Sequence, residues 1–196
     1  KDELCMSCGQ VLSLPKLVIS RGSPFSRLMI IGEAPGAKEE ELGKPFVGRS
    51  GKLLDKMLRS VGIEPEKDAY ICNVVKCRPP KNRRPTKNEV LENFPWLKQQ
   101  IILVNPLVII LVGSTALEAV LSINDQISKV RGTWQNWEGR TVMPIFHPSY
   151  LLRNPSKEEG FPIHLTRLDL LKVSEKLQEF GLLSEVSSSA ISRGNS

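Results

Sequence analysis

The sequence contains no long apolar run and no internal repeat. None of its apolar stretches approaches the roughly 20 residues that a membrane-spanning helix requires, and its first residues, KDELCMSC, lack the apolar core of a signal peptide. We therefore expect a cytoplasmic protein that does not enter a membrane. With 40% apolar and 24% charged residues, the composition is typical of a globular chain.

The chain has 196 residues, which is enough for one domain with a sizeable core. We predict a single domain over residues 1–183. From residue 184 the sequence reads SEVSSSAISRGNS, which is rich in serine and poor in apolar residues. This composition predicts a disordered tail over residues 184–196.

Cysteine is scarce, and its placement is informative. The four cysteines are Cys5, Cys8, Cys72 and Cys77. Structural disulfides are rare in reducing compartments, so the CxxC pair at the amino end indicates either metal binding or redox chemistry. A thioredoxin-type pair would follow a strand, and no strand precedes Cys5, which favours metal.

Acidic residues are outnumbered by basic ones. The formal net charge is +6 and the pI is about 9.2, and several of the cations lie in one short stretch: Lys76, Arg78, Lys81, Arg83, Arg84 and Lys87. Such a cluster favours a polyanionic partner, and nucleic acid in particular. The alternative is a set of solvated surface lysines and arginines with no partner.

Apolar runs that end in turn residues alternate with segments of helical periodicity. The runs predict strands at Leu28–Gly32, Ala69–Val75, Leu107–Val112 and Thr141–Phe146. The periodic segments predict helices around residues 53–58, at 87–104, after Gly113 and at 165–180. This alternation predicts an α/β fold, a three-layer αβα sandwich around a central, mainly parallel four-stranded sheet.

Three details of these elements can be tested. Leu91, Phe94, Leu97 and Ile101 should form the apolar face of the helix at 87–104, and Leu168, Leu171 and Leu177 that of the last helix. A hairpin is expected to turn at Glu138-Gly139, before the fourth strand. The segment Gly113-Ser114-Thr115 is typical of a helix start rather than of a catalytic site.

Polar residues follow three of the predicted strands. Glu33 comes after the first strand, Asn73 lies near the end of the second, and His147 follows the fourth. With Phe46 beside them, they predict a pocket for a flat, hydrogen-bonding ligand at one edge of the sheet. Taken singly, each could be a turn cap or a core residue. His164, the other histidine, is expected at the surface.

Four motifs in order then resemble the family 4 uracil-DNA glycosylases, the iron–sulfur type. They are GEAPG at 32–36, GKPFVGRSGKLLDKML at 43–58, NVVKCRPPKNRRPT at 73–86 and HPSYLLRNP at 147–155. The resemblance extends from Cys5 to about Phe180. It implies an enzyme of base excision repair that flips uracil out of single- or double-stranded DNA and hydrolyses its N-glycosidic bond, leaving an abasic site.

The resemblance also implies roles for the strand-end residues. Phe46 would stack on the flipped uracil, and Asn73 would read its O4 and N3. His147 would hydrogen-bond O2 and stabilise the uracil anion. Glu33 would help to place the water, with the loop backbone of Gly32 and Ala34 lining the substrate.

A DNA-contacting surface follows from the same resemblance. Leu151 or Leu152 would fill the gap left by the base, and Ser149 and Arg153 would lie near phosphates. Gly48, Ser50 and Lys76 are candidates for additional backbone contacts. The alternatives are helix capping for Ser50 and plain solvation for Lys76.

The family binds a 4Fe-4S cluster through four cysteines, of which Cys5, Cys8 and Cys77 match. Asn93 stands where the fourth belongs. Cys72 should lie roughly 15 Å from Cys77 along an extended strand and is expected to be a buried thiol. A cluster with a non-cysteine ligand, zinc on three cysteines, or no metal all remain open, and the cluster is favoured.

We therefore predict a monomeric uracil-DNA glycosylase, with Glu33 and His147 as its catalytic residues. One alternative is a noncatalytic or polymerase-associated DNA-binding module with the same fold. Another is a thiol redox protein built on Cys5 and Cys8. A histidine that links covalently to DNA in a related family is absent from the loop at residues 81–86, which argues against that chemistry.

Overall fold

A computed structural model describes residues 16–183 of the chain. Cys5, Cys8 and the serine-rich segment predicted to be a disordered tail lie outside the described residues. None of the helices within 16–183 combines the length and the apolar character that crossing a bilayer would require.

A six-stranded sheet forms the centre of the described chain, in the order β1-β3-β2-β4-β6-β5. The strands are β1 (Arg21–Gly22), β2 (Leu28–Gly32), β3 (Ala69–Asn73), β4 (Val108–Val112), β5 (Gln135–Trp137) and β6 (Arg140–Ile145). The four central strands are parallel, which confirms the predicted parallel core. The sheet is wider than four strands because β1 and β5 pair antiparallel at its two edges.

Helices cover both faces of the sheet. They are α1 (Ala37–Leu42), α2 (Arg49–Arg59), α3 (Pro65–Asp68), α4 (Lys87–Val104), α5 (Ser114–Leu121), α6 (Ile127–Val130), α7 (Pro148–Arg153) and α8 (Pro162–Glu179). Alternate residues of each strand enter different cores. Ile30 packs in a core with residues of α2 and α8, and Ile31 packs in a second core with residues of α4 and α5. This arrangement confirms the three-layer αβα sandwich.

Capping residues explain where the long helices begin. Helix α4 has the predicted bounds because Thr86 accepts a hydrogen bond from the Glu89 amide and Glu89 caps the Thr86 amide in return. Helix α8 begins at Pro162, three residues before the predicted start, because proline is favoured at the first helical position. The predicted hairpin is present, and Glu138 and Gly139 both have positive φ, as its tight turn requires.

The predicted apolar faces are wrong at two positions. Leu91 is 69% exposed and Leu168 is 39% exposed, although the rest of each helix turns its core face inward as expected. In α8 the residues that reach the core are Leu170, Val173 and Leu177. Each helix therefore buries a narrower face than its apolar residues suggest. Cys72 is a fully buried thiol of β3, as predicted, and burial raises its pKa.

Candidate active site

The ends of three parallel strands converge on one cavity. Glu33 follows β2, Asn73 ends β3 and His147 follows β6. All three line a cavity of about 240 Å³, and Phe46 completes its wall. This volume is below the roughly 300 to 1,000 Å³ of pockets for drug-sized ligands, which suits a single base. The structure thus brings together the four residues that the sequence placed at this edge of the sheet.

Phe46 occupies its place through an unusual backbone conformation. Its φ is 53°, a region that bulky residues rarely adopt. The Arg21 guanidinium, which is buried, donates to the carbonyl of Pro45 at 2.8 Å and to that of Phe46 at 3.4 Å. Glu39 accepts hydrogen bonds from the amides of Val47 and Gly48 at 3.0 and 2.7 Å. These contacts fix the turn and therefore the ring.

Two glycines make room for this turn. A Cβ at Gly32 would overlap the Phe46 ring and lie 2.5 Å from Asn73 Oδ1, and a Cβ at Gly51 would overlap the Phe46 carbonyl. Close approach of ring, amide and backbone at this point requires residues without a side chain. Gly32 therefore matters to the site through its lack of a Cβ.

Asn73 presents an uncommitted amide to the cavity. Its side chain is almost fully buried, yet no hydrogen bond joins that side chain to another part of residues 16–183. Buried amides are normally paired. The donor and the acceptor of Asn73 are consequently available to a ligand that enters the cavity.

His147 is held in one orientation and one tautomer. Its Nδ1 accepts a hydrogen bond from the Ser149 amide at 3.1 Å and lies 2.8 Å from the Ser149 hydroxyl. Because a backbone N–H can only donate, the proton of the neutral ring is on Nε2. Burial lowers the pKa of His147, an effect that nearby Arg153 reinforces and Glu33 opposes. The site therefore contains a neutral imidazole with an N–H donor.

Glu33 has a partner that the sequence did not indicate. The hydroxyl of Thr115 donates to Glu33 Oε2. Gly113 is the N-cap of α5 and no side chain caps that helix, so the interpretation of Gly113-Ser114-Thr115 as merely a helix start is incomplete. The signal in the sequence was the position of Thr115, just after the carboxyl end of β4, at the same edge as the other site residues.

A second cavity adjoins the first along the proposed DNA surface. It has a volume of about 540 Å³ and shares Glu33, His147 and Ser149 with the smaller cavity, while Arg153 lines its far side. Gly48 is the N-cap of α2, and Ser50 lines the smaller cavity. Ser50, Ser149 and Arg153 therefore line one or both cavities, and Gly48 lies two residues before Ser50.

Two predicted DNA contacts are wrong. Lys76 is only 1% exposed; its ammonium donates to the Asn73 carbonyl at 2.5 Å and to the Gln100 side chain. Burial also lowers the pKa of this ammonium. Leu151 is fully buried in the core, whereas Leu152 is 39% exposed. Of the two leucines, Leu152 is the exposed one, and Lys76 is held inside the fold by its two hydrogen bonds.

The predicted cluster site is only partly described. Cys77 is buried, and within residues 16–183 no group of three or more histidine, cysteine or acidic side chains could hold a metal. Asn93, at the expected fourth position, is fully buried; its Oδ1 accepts from the Lys76 amide at 3.1 Å and its Nδ2 donates to the Glu89 carbonyl at 2.8 Å. Since Asn93 supplies no thiolate and its amide is engaged, the residues do not fit a four-thiolate cluster.

Comparison of the amino-acid sequence with known proteins identifies its family. A sequence model described as "Uracil DNA glycosylase superfamily" matches residues 19–172. A type-4 uracil-DNA glycosylase of Thermotoga maritima is 47% identical over 156 residues, which cover 79% of this chain and 81% of the relative. The chain belongs to the type-4 uracil-DNA glycosylases. This confirms the resemblance that the four motifs carry.

Two further relatives bear on the alternatives. A type-4 uracil-DNA glycosylase of Sulfurisphaera tokodaii is 36% identical over 167 residues, 80% of this chain and 76% of the relative. A DNA polymerase of Bacillus phage SP01 is 35% identical over 147 residues, 75% of this chain and only 16% of that protein. Several type-4 uracil-DNA glycosylases match over most of their length, so a polymerase-associated role is not favoured.

Proposed function

We propose that this chain is a uracil-DNA glycosylase of base excision repair, which flips uracil from DNA and hydrolyses its N-glycosidic bond. The observation that carries this function is the base-sized cavity at the strand ends, with an aromatic wall, an unpaired planar amide and a neutral imidazole donor. A noncatalytic binding module would need the first two of these features but not the third.

Recognition of uracil is assigned to Phe46 and Asn73. The Phe46 ring stacks on the flipped base, an interaction worth about 1–3 kcal/mol per base. Asn73 Nδ2 donates to O4 and Oδ1 accepts from the N3–H of uracil. Cytosine has a donor at position 4 and an acceptor at N3, so both contacts become repulsive as long as the amide keeps this orientation. A good bidentate pair of this kind is worth about 1–3 kcal/mol of discrimination.

Bond cleavage is assigned to His147 and Glu33. The C1′–N1 bond breaks and its electron pair passes to the base, where the charge is shared between N1 and O2. The His147 Nε2–H donates to O2, and one such fixed donor is worth about 3 kcal/mol in the transition state. Water attacks C1′ while Glu33 orients it and takes its proton. The uracil anion then takes a proton from solvent and Glu33 releases the proton that it took from water, so the products are free uracil and an abasic sugar.

Ala34 affects how much of the catalysis comes from activating water and how much from stabilising the leaving group. Related families place Asp or Asn at this position, and the Ala34 side chain cannot bind or activate water. Most of the catalysis therefore depends on stabilising the leaving group, with Glu33 as the residue nearest to the attacking water.

DNA is proposed to cross the site at α7. Ser149 and Arg153 lie near phosphates on either side of the flipped nucleotide, Gly48 and Ser50 contact the backbone at the start of α2, and Leu152 enters the vacated position in the stack. We further propose that the enzyme acts as a monomer in the cytoplasm, where its DNA substrate is located.

We also propose that the chain binds an iron–sulfur cluster, although one of the family's four cysteine ligands is missing. Cys77 is disulfide-bonded in the structure, so Cys5, Cys8 and Cys77 would supply three thiolates only in reduced protein. Asn93 supplies none, so a fourth ligand has to come from outside the family's usual set. Iron and acid-labile sulfide assays on protein purified without oxygen test this, with Asn93→Cys as the matched variant. Iron in neither protein would contradict the cluster, and iron in both would support it.

The test of the proposed activity is release of free uracil from a labelled oligonucleotide with a single uracil. Matched oligonucleotides carry cytosine or thymine at the same position. We expect turnover on uracil alone, and Asn73→Ala should lose most of it while remaining folded. A folded wild-type protein that binds the uracil oligonucleotide without releasing the base would contradict the proposal.

A further inference from the structure

Thr115 connects the catalytic carboxylate to the basic loop. It is the second residue of α5 and is almost fully buried. Its hydroxyl donates to Glu33 Oε2, and its Oγ1 also lies 3.1 Å from Arg84 Nε, which donates to it. Arg84 in turn pairs with Glu118 at 3.0 Å. None of the four family motifs includes Thr115.

The chemistry of the three groups gives this chain of hydrogen bonds a fixed direction. Arginine has donors only, so Thr115 Oγ1 accepts from Arg84. A hydroxyl has a single hydrogen, which must then point to Glu33, and Glu33 Oε2 is the acceptor. Within residues 16–183 no other hydrogen bond reaches the Glu33 carboxylate. Oε2 therefore has a fixed partner, and Oε1 accepts no hydrogen bond from residues 16–183.

Without this bond the Glu33 side chain would be free to rotate. Fixing a glutamate side chain costs rotamer entropy, and a 1 Å error in the position of a catalytic group can cost about 100-fold in rate. The half-buried Glu33 lies between the two cavities, so it has open space on both sides. A hydrogen bond to one carboxylate oxygen restricts the rotation of the group and so limits the positions that the other oxygen can take.

We propose that Thr115 is a positioning residue for uracil excision: its hydroxyl, oriented by Arg84, holds Glu33 so that Oε1 meets the attacking water. This rests on the proposed role of Glu33. It assigns no contact between Thr115 and the substrate.

The test compares Thr115→Val, which has nearly the same shape and no hydroxyl, with Thr115→Ser, which keeps the hydroxyl. Two quantities are measured: the single-turnover rate of uracil release, and the Kd for a DNA that carries a non-cleavable 2′-fluoro analogue of deoxyuridine. We expect Thr115→Val to slow release roughly 10- to 100-fold, with a Kd within about twofold of wild type because binding does not use this bond. Thr115→Ser should recover most of the rate.

A double variant separates positioning from a general loss of structure. If Thr115 acts through Glu33, then Glu33→Gln combined with Thr115→Val should be no slower than Glu33→Gln alone. Thermal unfolding checks the fold, and Thr115→Ala takes the place of the valine variant if that variant does not fold.

The possible failures differ from one another. A wild-type rate in Thr115→Val, or equal losses of rate in the serine and valine variants, would overturn the role of Thr115. Neither result would affect the proposed function. A wild-type protein that releases no uracil would overturn the proposed function, and the role of Thr115 with it. Additive losses in the double variant would assign Thr115 a structural role only.

Discussion

Phe46 adopts a backbone conformation that aromatic residues rarely take, and contacts with its neighbours stabilise that conformation. Arg21 binds the carbonyls of the turn, Glu39 binds its amides, and Gly51 leaves space for its carbonyl. Strain of this kind persists only where surrounding contacts over-determine it, and it occurs most often at functional sites. This strain costs of order 1–3 kcal/mol. Its benefit is that the Phe46 ring is already fixed in position before the base arrives.

Gly32→Ala tests the close packing of this site. The added Cβ would overlap the Phe46 ring and crowd Asn73 Oδ1, so kcat/KM for uracil-DNA should fall roughly 10- to 100-fold through lost stacking. Gly139→Ala is the control: nothing lies within 4 Å of its new Cβ, and its φ of 77° adds a backbone strain that Gly32 does not have, so the control is the more strained of the two. Equal activity in both variants would mean that Gly32 has no special role.

The buried imidazole of His147 predicts how excision depends on pH. Because burial holds the pKa of His147 below the ordinary 6.5, the ring stays neutral in more acidic solution than an ordinary histidine does. The single-turnover rate should therefore have its acidic midpoint below 6.5, and His164→Gln should leave that midpoint unchanged. A midpoint at or above 6.5 that disappears in a His147 variant would contradict this account.

At the scale of elements, the long helices and the parallel strands could be predicted because their periodicity follows from burial. Helix α1 could not, since none of its residues is buried and its acidic sequence has no apolar period. Lys76 and Leu151 were misplaced for a related reason. A basic residue and a leucine can each lie inside or outside the fold. Only the contact of Lys76 with Gln100 of α4, and the packing of α7 against α2, decide between the two environments.

The start of α4 contains a strongly perturbed carboxylate, that of Glu89. The pKa of Glu89 is lowered to about 2, chiefly by Arg83 and then by Thr86. Its contribution to stability is present above pH 4.5, the usual value, and is lost as the pH falls toward 2. Because Arg83 is partly exposed and solvent screens the pair, we expect Glu89→Gln to cost about 2 kcal/mol at pH 7.

Urea unfolding at pH 7 and pH 3 measures this effect. The destabilisation by Glu89→Gln should be smaller at pH 3, and exposed Glu92→Gln on the same helix should have little effect at either pH. A Glu89→Gln variant as stable as wild type at pH 7 would show that the capping box and ion pair contribute nothing.

For the whole molecule, the net charge of +6 correctly indicated a polyanionic partner but not which cations meet it. Arg153 lines the open cavity, whereas Lys76 is enclosed. Charge counted along the sequence cannot distinguish the two.

Salt dependence of DNA binding can make the distinction. Each phosphate contact adds about 0.9 to the slope of log K against log salt for duplex DNA, so Arg153→Gln should reduce the slope by about that amount. Lys76→Gln should leave the slope unchanged and instead lower the unfolding temperature. An equal reduction in slope for both variants would mean that Lys76 contacts DNA after all.

The central claim is that a neutral His147 stabilises the departing uracil anion, and the most direct measurement is single-turnover excision by wild type and His147→Ala on two substrates, uracil and 5-fluorouracil in the same DNA. Fluorine stabilises the anion, so the second base needs less help to leave. We predict a loss of about 100-fold or more on uracil and a distinctly smaller loss on 5-fluorouracil. Equal losses on the two bases would contradict the claim, because His147 would then act on some step other than departure of the base.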